Sequence, residues 1–311
     1  MRVLLHIDDI EAWREALAER LPEAEIVTAD DPADKRRDAD YLAVWKPSEA
    51  LLGEQRRARG IVNLGAGVDA LLNNPALPEG VPIVKLRDAG MAELIGDYVR
   101  YGVLHFQRDF DRYRRQQAQR EWREHSVTDK RDWPVGVLGL GAIGAKVAAM
   151  VAADGFPVHG WSRSPKSLEG ITCHHGDEGL NDLLGQVRTL VLLLPGTKST
   201  RHIIDAQALA ALPEGASLIN PGRGSLIDEA ALLEALGNGE SEGRLRGALL
   251  DAFPEEPLPE SSPLWRHPRV WVTPHMAGPT PLGEAVDQVA EAIRAFEAGE
   301  TLDTIDPEAG Y

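Results

Sequence analysis

Ten residues, VGVLGLGAIG at 135–144, constrain this chain more than any other stretch. Short apolar residues run into Gly139, Gly141 and Gly144, and an Ala/Val/Met-rich segment, AKVAAMVAADG, follows at once. The pattern predicts a buried strand, a tight turn and a helix N-terminus. In a dinucleotide-binding turn the three glycines have separate tasks: Gly139 permits the turn, Gly141 lets the backbone approach a pyrophosphate, and Gly144 lets helix and strand pack closely. The phosphates would sit on the unpaired N–H groups of the helix start, at Ala142 and Ile143. A further strand candidate, PVHGWS (157–162), follows the helix. It supplies the βαβ context that a lone G-x-G-x-x-G lacks.

Strand-like runs continue on both sides of this motif. VLLHI (3–7), EIVTA (25–29), YLAVW (41–45), IVNLG (61–65) and PIVKL (82–86) precede it, separated by helical or turn segments such as WREALAERL (13–21). This first part has a core of its own and no phosphate loop. Beyond Ser162 the alternation resumes with ITCHH (171–175), TLVLLLPG (189–196), SLINP (217–221), GALLD (247–251) and VWVTP (270–274). Helix candidates at 145–153, 178–185, 205–212 and 228–236 fit between them as crossovers of a mainly parallel sheet, an α/β fold. Residues 91–119 form the longest helical candidate, with Leu94, Val99, Val103, Phe106 and Phe110 as its apolar stripe. The aperiodic segment 121–134 after it reads as the crossing between two domains. The final helix candidate, 282–299, could pack on either domain, and the pattern alone does not choose.

At 311 residues the chain is long enough for two cores. Forty-nine acidic against 33 basic residues give a net charge of −16, which argues against nucleic acid as a partner. The single cysteine, Cys173, excludes an internal disulfide framework and reads as a strand residue. No stretch reaches the ~18 apolar residues of a membrane span and no cationic leader is seen, so the expectation is the cytosol. His174 and His175 have no further metal ligands at useful spacing, so no metal is expected.

The end of the strand after the glycine motif selects the cofactor. NAD sites commonly carry an Asp or Glu there to accept the ribose hydroxyls. This chain has Trp161-Ser162-Arg163-Ser164-Pro165-Lys166 instead. Ser162 could donate a hydrogen bond to a 2′-phosphate, Arg163 could stack on adenine and pair with the phosphate, and Lys166 could add charge. NADPH is therefore expected in preference to NADH.

Three polar positions stand at or just past later strand ends, where open parallel sheets place ligands. They are Arg223 in INPGRGSLID, Glu256 in LLDAFPEEPLP and His275 in VTPHMAG. Hydride transfer to a ketone develops negative charge on oxygen, so a proton donor and a fixed cation are the useful partners. His275 would donate the proton, Glu256 would hold its other ring nitrogen, and Arg223 would bind the substrate carboxylate and polarise the carbonyl. Spacing does not decide between Glu256 and the adjacent Glu255.

These motifs resemble those of the D-isomer-specific 2-hydroxyacid dehydrogenases, in particular the glyoxylate/hydroxypyruvate reductase A branch, over essentially the whole chain. Arg223 matches the arginine of that family's RG turn, Glu256 the glutamate of its D-x-F-x-x-E-P pattern with Asp251 and Pro257 in register, and His275 the histidine of T-P-H. Gly65-Ala66-Gly67-Val68-Asp69 matches the loop whose backbone N–H groups bind the substrate carboxylate, and Trp45 the tryptophan lining the substrate pocket. Pro195 and Gly196 match a loop beside the cofactor. One departure is Pro221-Gly222 before Arg223, where many relatives have cysteine or threonine followed by alanine.

The resemblance implies two Rossmann-like domains with parallel sheets. The substrate domain would be discontinuous, 1–98 with 276–311, completed by the C-terminal helix, and 99–275 would bind the dinucleotide. It implies an active site in a closing cleft between them and a homodimer formed through the nucleotide domain. Cofactor contacts would then come from Gly139, Gly141, Ala142, Ile143, Gly144, Ser162, Arg163, Lys166, Pro195, Gly196 and Asp251. Substrate contacts would come from Trp45, Ala66, Gly67, Val68, Arg223 and His275. The implied reaction is NADPH-dependent reduction of glyoxylate or hydroxypyruvate to glycolate or D-glycerate. Two alternatives stay open: an NAD-preferring dehydrogenase of a larger D-2-hydroxyacid, and a nucleotide-sensing protein of the same fold without turnover.

Overall fold

The computed structural model describes residues 1–238 and 243–307, so the last four residues of the expected 276–311 segment lie outside the described residues. The chain divides into two compact units, 1–91 with 280–311 and 92–279.

The first unit runs β1 (Arg2–His6), α1 (Ile10–Arg20), β2 (Glu25–Thr28), α2 (Ala33–Arg36), β3 (Tyr41–Val44), α3 (Glu49–Gly53), β4 (Gly60–Asn63), α4 (Asp69–Leu72) and β5 (Ile83–Lys85). Its strands form an all-parallel sheet in the order β2-β1-β3-β4-β5, the flavodoxin-like doubly wound order. Both faces are covered, which is why β3 and β4 are buried at every position.

The second unit begins within α5 (Met91–Gln107) and continues through α6 (Phe110–Gln119), β6 (Val135–Leu138), α7 (Ala142–Ala153), β7 (Val158–Ser162), β8 (Ile171–His175) and α8 (Gly176–Leu184). It ends with β9 (Thr189–Leu192), α9 (Ala206–Ala211), β10 (Ser217–Asn220), α10 (Glu229–Leu236), β11 (Gly247–Leu250) and β12 (Val270–Val272). The seven strands lie in the order β12-β11-β10-β9-β6-β7-β8, all parallel. The order reverses between β6 and β9, so the glycine motif stands at the topological switch point.

The chain closes with α11 (Leu282–Ala298), which packs on α1 and β4 and completes the first unit. Ala285, Val286, Val289, Ala290 and Ile293 form its buried stripe. Trp13 and Leu17 are the buried residues of α1. Arg20 to Asp287, Arg59 to Glu297 and Arg294 to Glu23 bridge its rim at 3.0, 2.7 and 3.0 Å.

Two expectations are corrected. The periodic run 91–119 is two helices, because Asp109 turns into the left-handed region at φ 59° and α6 starts afresh at Phe110. Arg246 at the foot of β11 draws both Asp109, at 2.6 Å, and Asp111 to itself, and this nearly buried cluster bends the chain. Val99, Val103 and Phe106 are buried as the stripe requires, whereas Leu94 and Phe110 are 39% and 51% exposed. Segment 121–134 lies wholly inside the second unit and is no crossing. Among the described residues no helix is long and apolar enough to span a membrane.

Candidate active site

The polar positions singled out in the sequence of the second unit stand at the carboxyl ends of its strands. Helix α7 starts without a side-chain cap at Gly141. The N–H groups of Ala142, Ile143 and Gly144 bond to nothing else among the described residues, which makes this end a ready anion site. Gly144 lies so close to the β6 turn that a β-carbon there would run into the Gly139 carbonyl oxygen. Gly141 differs: a β-carbon on it would meet no protein atom within 4 Å. Its face is open.

At the end of β7, Ser162 is buried and its hydroxyl donates to the Ser164 carbonyl at 2.7 Å, which folds the loop back on the strand. Arg163 and Lys166 extend from this loop into solvent. After β9, Pro195 and Gly196 are held by Thr200, whose hydroxyl donates to the Pro195 carbonyl at 2.6 Å. A β-carbon on Gly196 would lie 3.3 Å from Cγ of Arg223, so this loop abuts the arginine.

Arg223 leads out of β10 with extended backbone, and its Nη1 donates to the Gly222 carbonyl at 2.8 Å. The next residue, Gly224, sits directly against the Phe253–Pro254 backbone, where any β-carbon would collide. This contact fixes the Arg223 turn on the loop that carries Glu256. The Phe253 N–H donates to Glu256 Oε1 at 3.1 Å, and both carboxylate oxygens of Glu256 lie 2.8 Å from Nδ1 of His275. Geometry thus selects Glu256 where spacing left Glu255 open. With Nδ1 engaged, Nε2 is the ring nitrogen left to exchange a proton. His275 itself has φ 51°.

Asp251 at the end of β11 is fully buried, and its carboxylate is taken up within the protein: it accepts from Thr273 Oγ1 at 2.6 Å and from the N–H groups of Met276 and Ala277 at 2.9 Å. Among the described residues no three His, Cys, Asp or Glu side chains gather as a metal ion would require.

The first unit carries the other candidates. Gly65 lies against the Trp45 indole, since a β-carbon there would run into the ring. The N–H groups of Ala66, Gly67 and Val68 have no acceptor among the described residues.

Comparison with known proteins decides the family. Residues 101–277 match the model of the D-isomer specific 2-hydroxyacid dehydrogenase NAD binding domain. The chain is 42% identical over 307 residues to glyoxylate/hydroxypyruvate reductase A of Serratia proteamaculans, covering 97% of this chain and 96% of that protein. The chain belongs to the D-isomer specific 2-hydroxyacid dehydrogenases. Among solved structures, a member of this family from Xanthobacter autotrophicus in complex with NADPH and MES superposes with a TM-score of 0.90 at 38% identity, covering 99% of each chain. An NADPH-dependent glyoxylate/hydroxypyruvate reductase from Sinorhizobium meliloti, in complex with NADP and sulfate, also reaches 0.90, at 35% identity over 100% of this chain and 99% of that one.

Within this 2-hydroxyacid dehydrogenase, sequence reasoning missed two residues that shape the candidate loops. Asn63 ends β4, almost fully buried, and its amide donates to the carbonyls of Gly65 and Gly67 at 2.9 Å each. It turns those carbonyls inward. Asn220 ends β10 in the same way, donating to the Arg223 carbonyl at 2.9 Å and accepting from Gly222 N–H at 3.2 Å. The available signal was an asparagine closing an apolar strand just before a glycine turn.

Proposed function

We propose that this chain reduces small 2-keto acids, glyoxylate and hydroxypyruvate, to glycolate and D-glycerate with NADPH. The observation that carries the reading is the His275–Glu256 pair at 2.8 Å, with Glu256 on the loop against which the Arg223 turn packs, in a member of this family. A cofactor with a 2′-phosphate fits the residues present: the start of α7 is uncapped, Gly141 is open, and β7 ends in Ser162 and Arg163 with no carboxylate. The relatives crystallised with NADPH and NADP support the same choice.

NADPH, when bound, supplies the hydride that reaches C2 of the keto acid. His275 gives its Nε2 proton to the ketone oxygen, while the Glu256 carboxylate orients the ring and balances its positive charge. Arg223 binds the substrate carboxylate and stabilises negative charge as it develops on oxygen. Within the first unit, the N–H groups of Ala66, Gly67 and Val68 are assigned to a carboxylate, with the Trp45 indole lying against Gly65 beside them. Contacts to the pyrophosphate fall to Gly139, Gly141, Ala142, Ile143 and Gly144, those to the 2′-phosphate to Ser162, Arg163 and Lys166, and those to the nicotinamide side to Pro195 and Gly196.

Replacing Arg223→Gln tests the central assignment. Both the bound ketone and the transition state lose a cation, so kcat/KM for glyoxylate should fall on the order of 100-fold or more. Wild-type turnover in R223Q would remove Arg223 from the chemistry. The reading also includes a homodimer formed through the second unit. Trp122 is 99% exposed, with Phe110 and Val127 also open to solvent, an unfavourable surface for a lone subunit. Sedimentation equilibrium should give twice the chain mass, and a single-chain mass would dismiss the dimer. The proposal takes the cytosol as the compartment, which a lone Cys173 suits.

A further inference from the structure

Asp251 is a carboxylate with no accessible surface, and among the described residues no Lys or Arg pairs with it. A buried carboxyl group of this kind needs hydrogen-bond partners for its oxygens. Here all three come from one turn. Thr273 Oγ1 donates to Oδ1 at 2.6 Å, Met276 N–H to the same oxygen at 2.9 Å, and Ala277 N–H to Oδ2 at 2.9 Å. Two of these donors follow His275 in sequence and the third precedes it. His275 N–H donates to the Asp251 carbonyl at 2.9 Å as well. The histidine needs such a grip, because its φ of 51° lies in the left-handed region that residues with a β-carbon disfavour.

The chain of contacts extends one residue further. Tyr98, on α5, has its hydroxyl 2.7 Å from Thr273 Oγ1. Thr273 has one hydroxyl proton and spends it on Asp251, so in this contact Tyr98 must be the donor. Burial pushes the Tyr98 phenol well above its usual range; the hydrogen bond with Thr273 works against this and the Asp251 carboxylate with it, and burial prevails, so the phenol keeps its proton throughout the working pH range.

We propose that Tyr98 is a positioning residue for the proton donor: its hydroxyl orients Thr273, Thr273 and Asp251 hold the turn, and the turn sets His275 against Glu256. The proposal rests on the reductase reading for the role of His275. It does not make Tyr98 a catalytic residue, since Tyr98 acts through the others.

The experiment compares Y98F, T273V, T273S and the double variant Y98F/T273V with the wild type. Steady-state kinetics with NADPH and glyoxylate are measured for each, together with the ring signals of His275 in NMR spectra, assigned through their loss in H275Q. Y98F and T273V should lower kcat roughly three- to tenfold, the scale of one lost buried hydrogen bond, with KM for glyoxylate within about twofold of wild type. T273S, which keeps the hydroxyl, should restore most of what T273V loses. The double variant should cost no more than T273V alone, because both changes break the same chain. The His275 signals should move in Y98F and T273V.

Wild-type kcat in Y98F would overturn the proposal. So would losses that multiply in the double variant, or a lowered kcat with the His275 signals unmoved. Should Y98F fail to fold, the T273V and T273S pair decides on the same criteria. A wild type that turns over no 2-keto acid would instead defeat the reductase reading, and the His275 signals would still decide whether Tyr98 holds the turn.

Discussion

Gly141 and Gly144 belong to one motif but answer to different neighbours. Gly144 is required by the protein itself, since a side chain there would strike the Gly139 carbonyl, whereas around Gly141 the protein leaves open space. Gly144→Ala should therefore lower the thermal midpoint, and Gly141→Ala should leave it unchanged while weakening NADPH on the order of tenfold or more. Calorimetric melts and a fluorescence titration measure the two effects, and unaltered NADPH affinity in G141A would take the pyrophosphate away from this turn. Residue placement was legible where the strand register fixes it, as at Arg223 and His275, which stand just past the ends of β10 and β12. The task of Asn63 and Asn220 was not legible, because an amide has none until the turn carbonyls it pins are in place. Spacing alone left Glu256 and Glu255 alike and only the family pattern picked Glu256; in the folded loop it is Glu256 that faces the imidazole.

Among the elements, strands were the more readable, because a parallel sheet covered on both faces demands uninterrupted apolar runs. The helical run 91–119 misled for a physical reason. Its apolar period continues through a point where Arg246, distant in sequence, captures Asp109 and Asp111 and breaks the helix, and no local pattern reports such a partner. A second long-range pair lies between β7 and β8. His159 Nδ1 and His174 Nε2 are 3.0 Å apart with stacked rings, a contact that requires one ring to donate and the other to accept. Burial, with His174 beside it, lowers the tendency of His159 to take up a proton. A histidine held below its ordinary range binds the proton more readily in the unfolded chain, so stability falls as pH drops through the ordinary histidine value toward the lowered one. Urea unfolding should show a lower midpoint at about pH 5.5 than at about pH 7.5, and H159Q should narrow that difference. His105, lowered by burial as well, will retain part of it. An equal pH response in H159Q would dismiss the pair as a source of acid sensitivity.

At the scale of the whole molecule, the division into units was legible only in part. The amphipathic stripe of α11 announces a face to bury, but the partner, α1 with Trp13 and Leu17, lies at the other end of the chain. Periodicity cannot join two surfaces so far apart. The resemblance to a family supplied that connection, and the packing of α11 on α1 and β4 gives its physical basis. The same division holds for the candidate site: residue types at the glycine turn and at the ends of β7, β10, β11 and β12 suggest a chemistry, whereas the aim of each group depends on contacts such as Gly224 against the Phe253–Pro254 backbone. The most direct measurement follows the loss of reduced-nicotinamide absorbance when the purified protein meets glyoxylate with NADPH or, in parallel, with NADH. Rapid loss with NADPH and slow loss with NADH is the expected result. Rapid loss with NADH alone would contradict the phosphate-binding role given to Ser162, Arg163 and Lys166, and no loss with either would contradict the reductase.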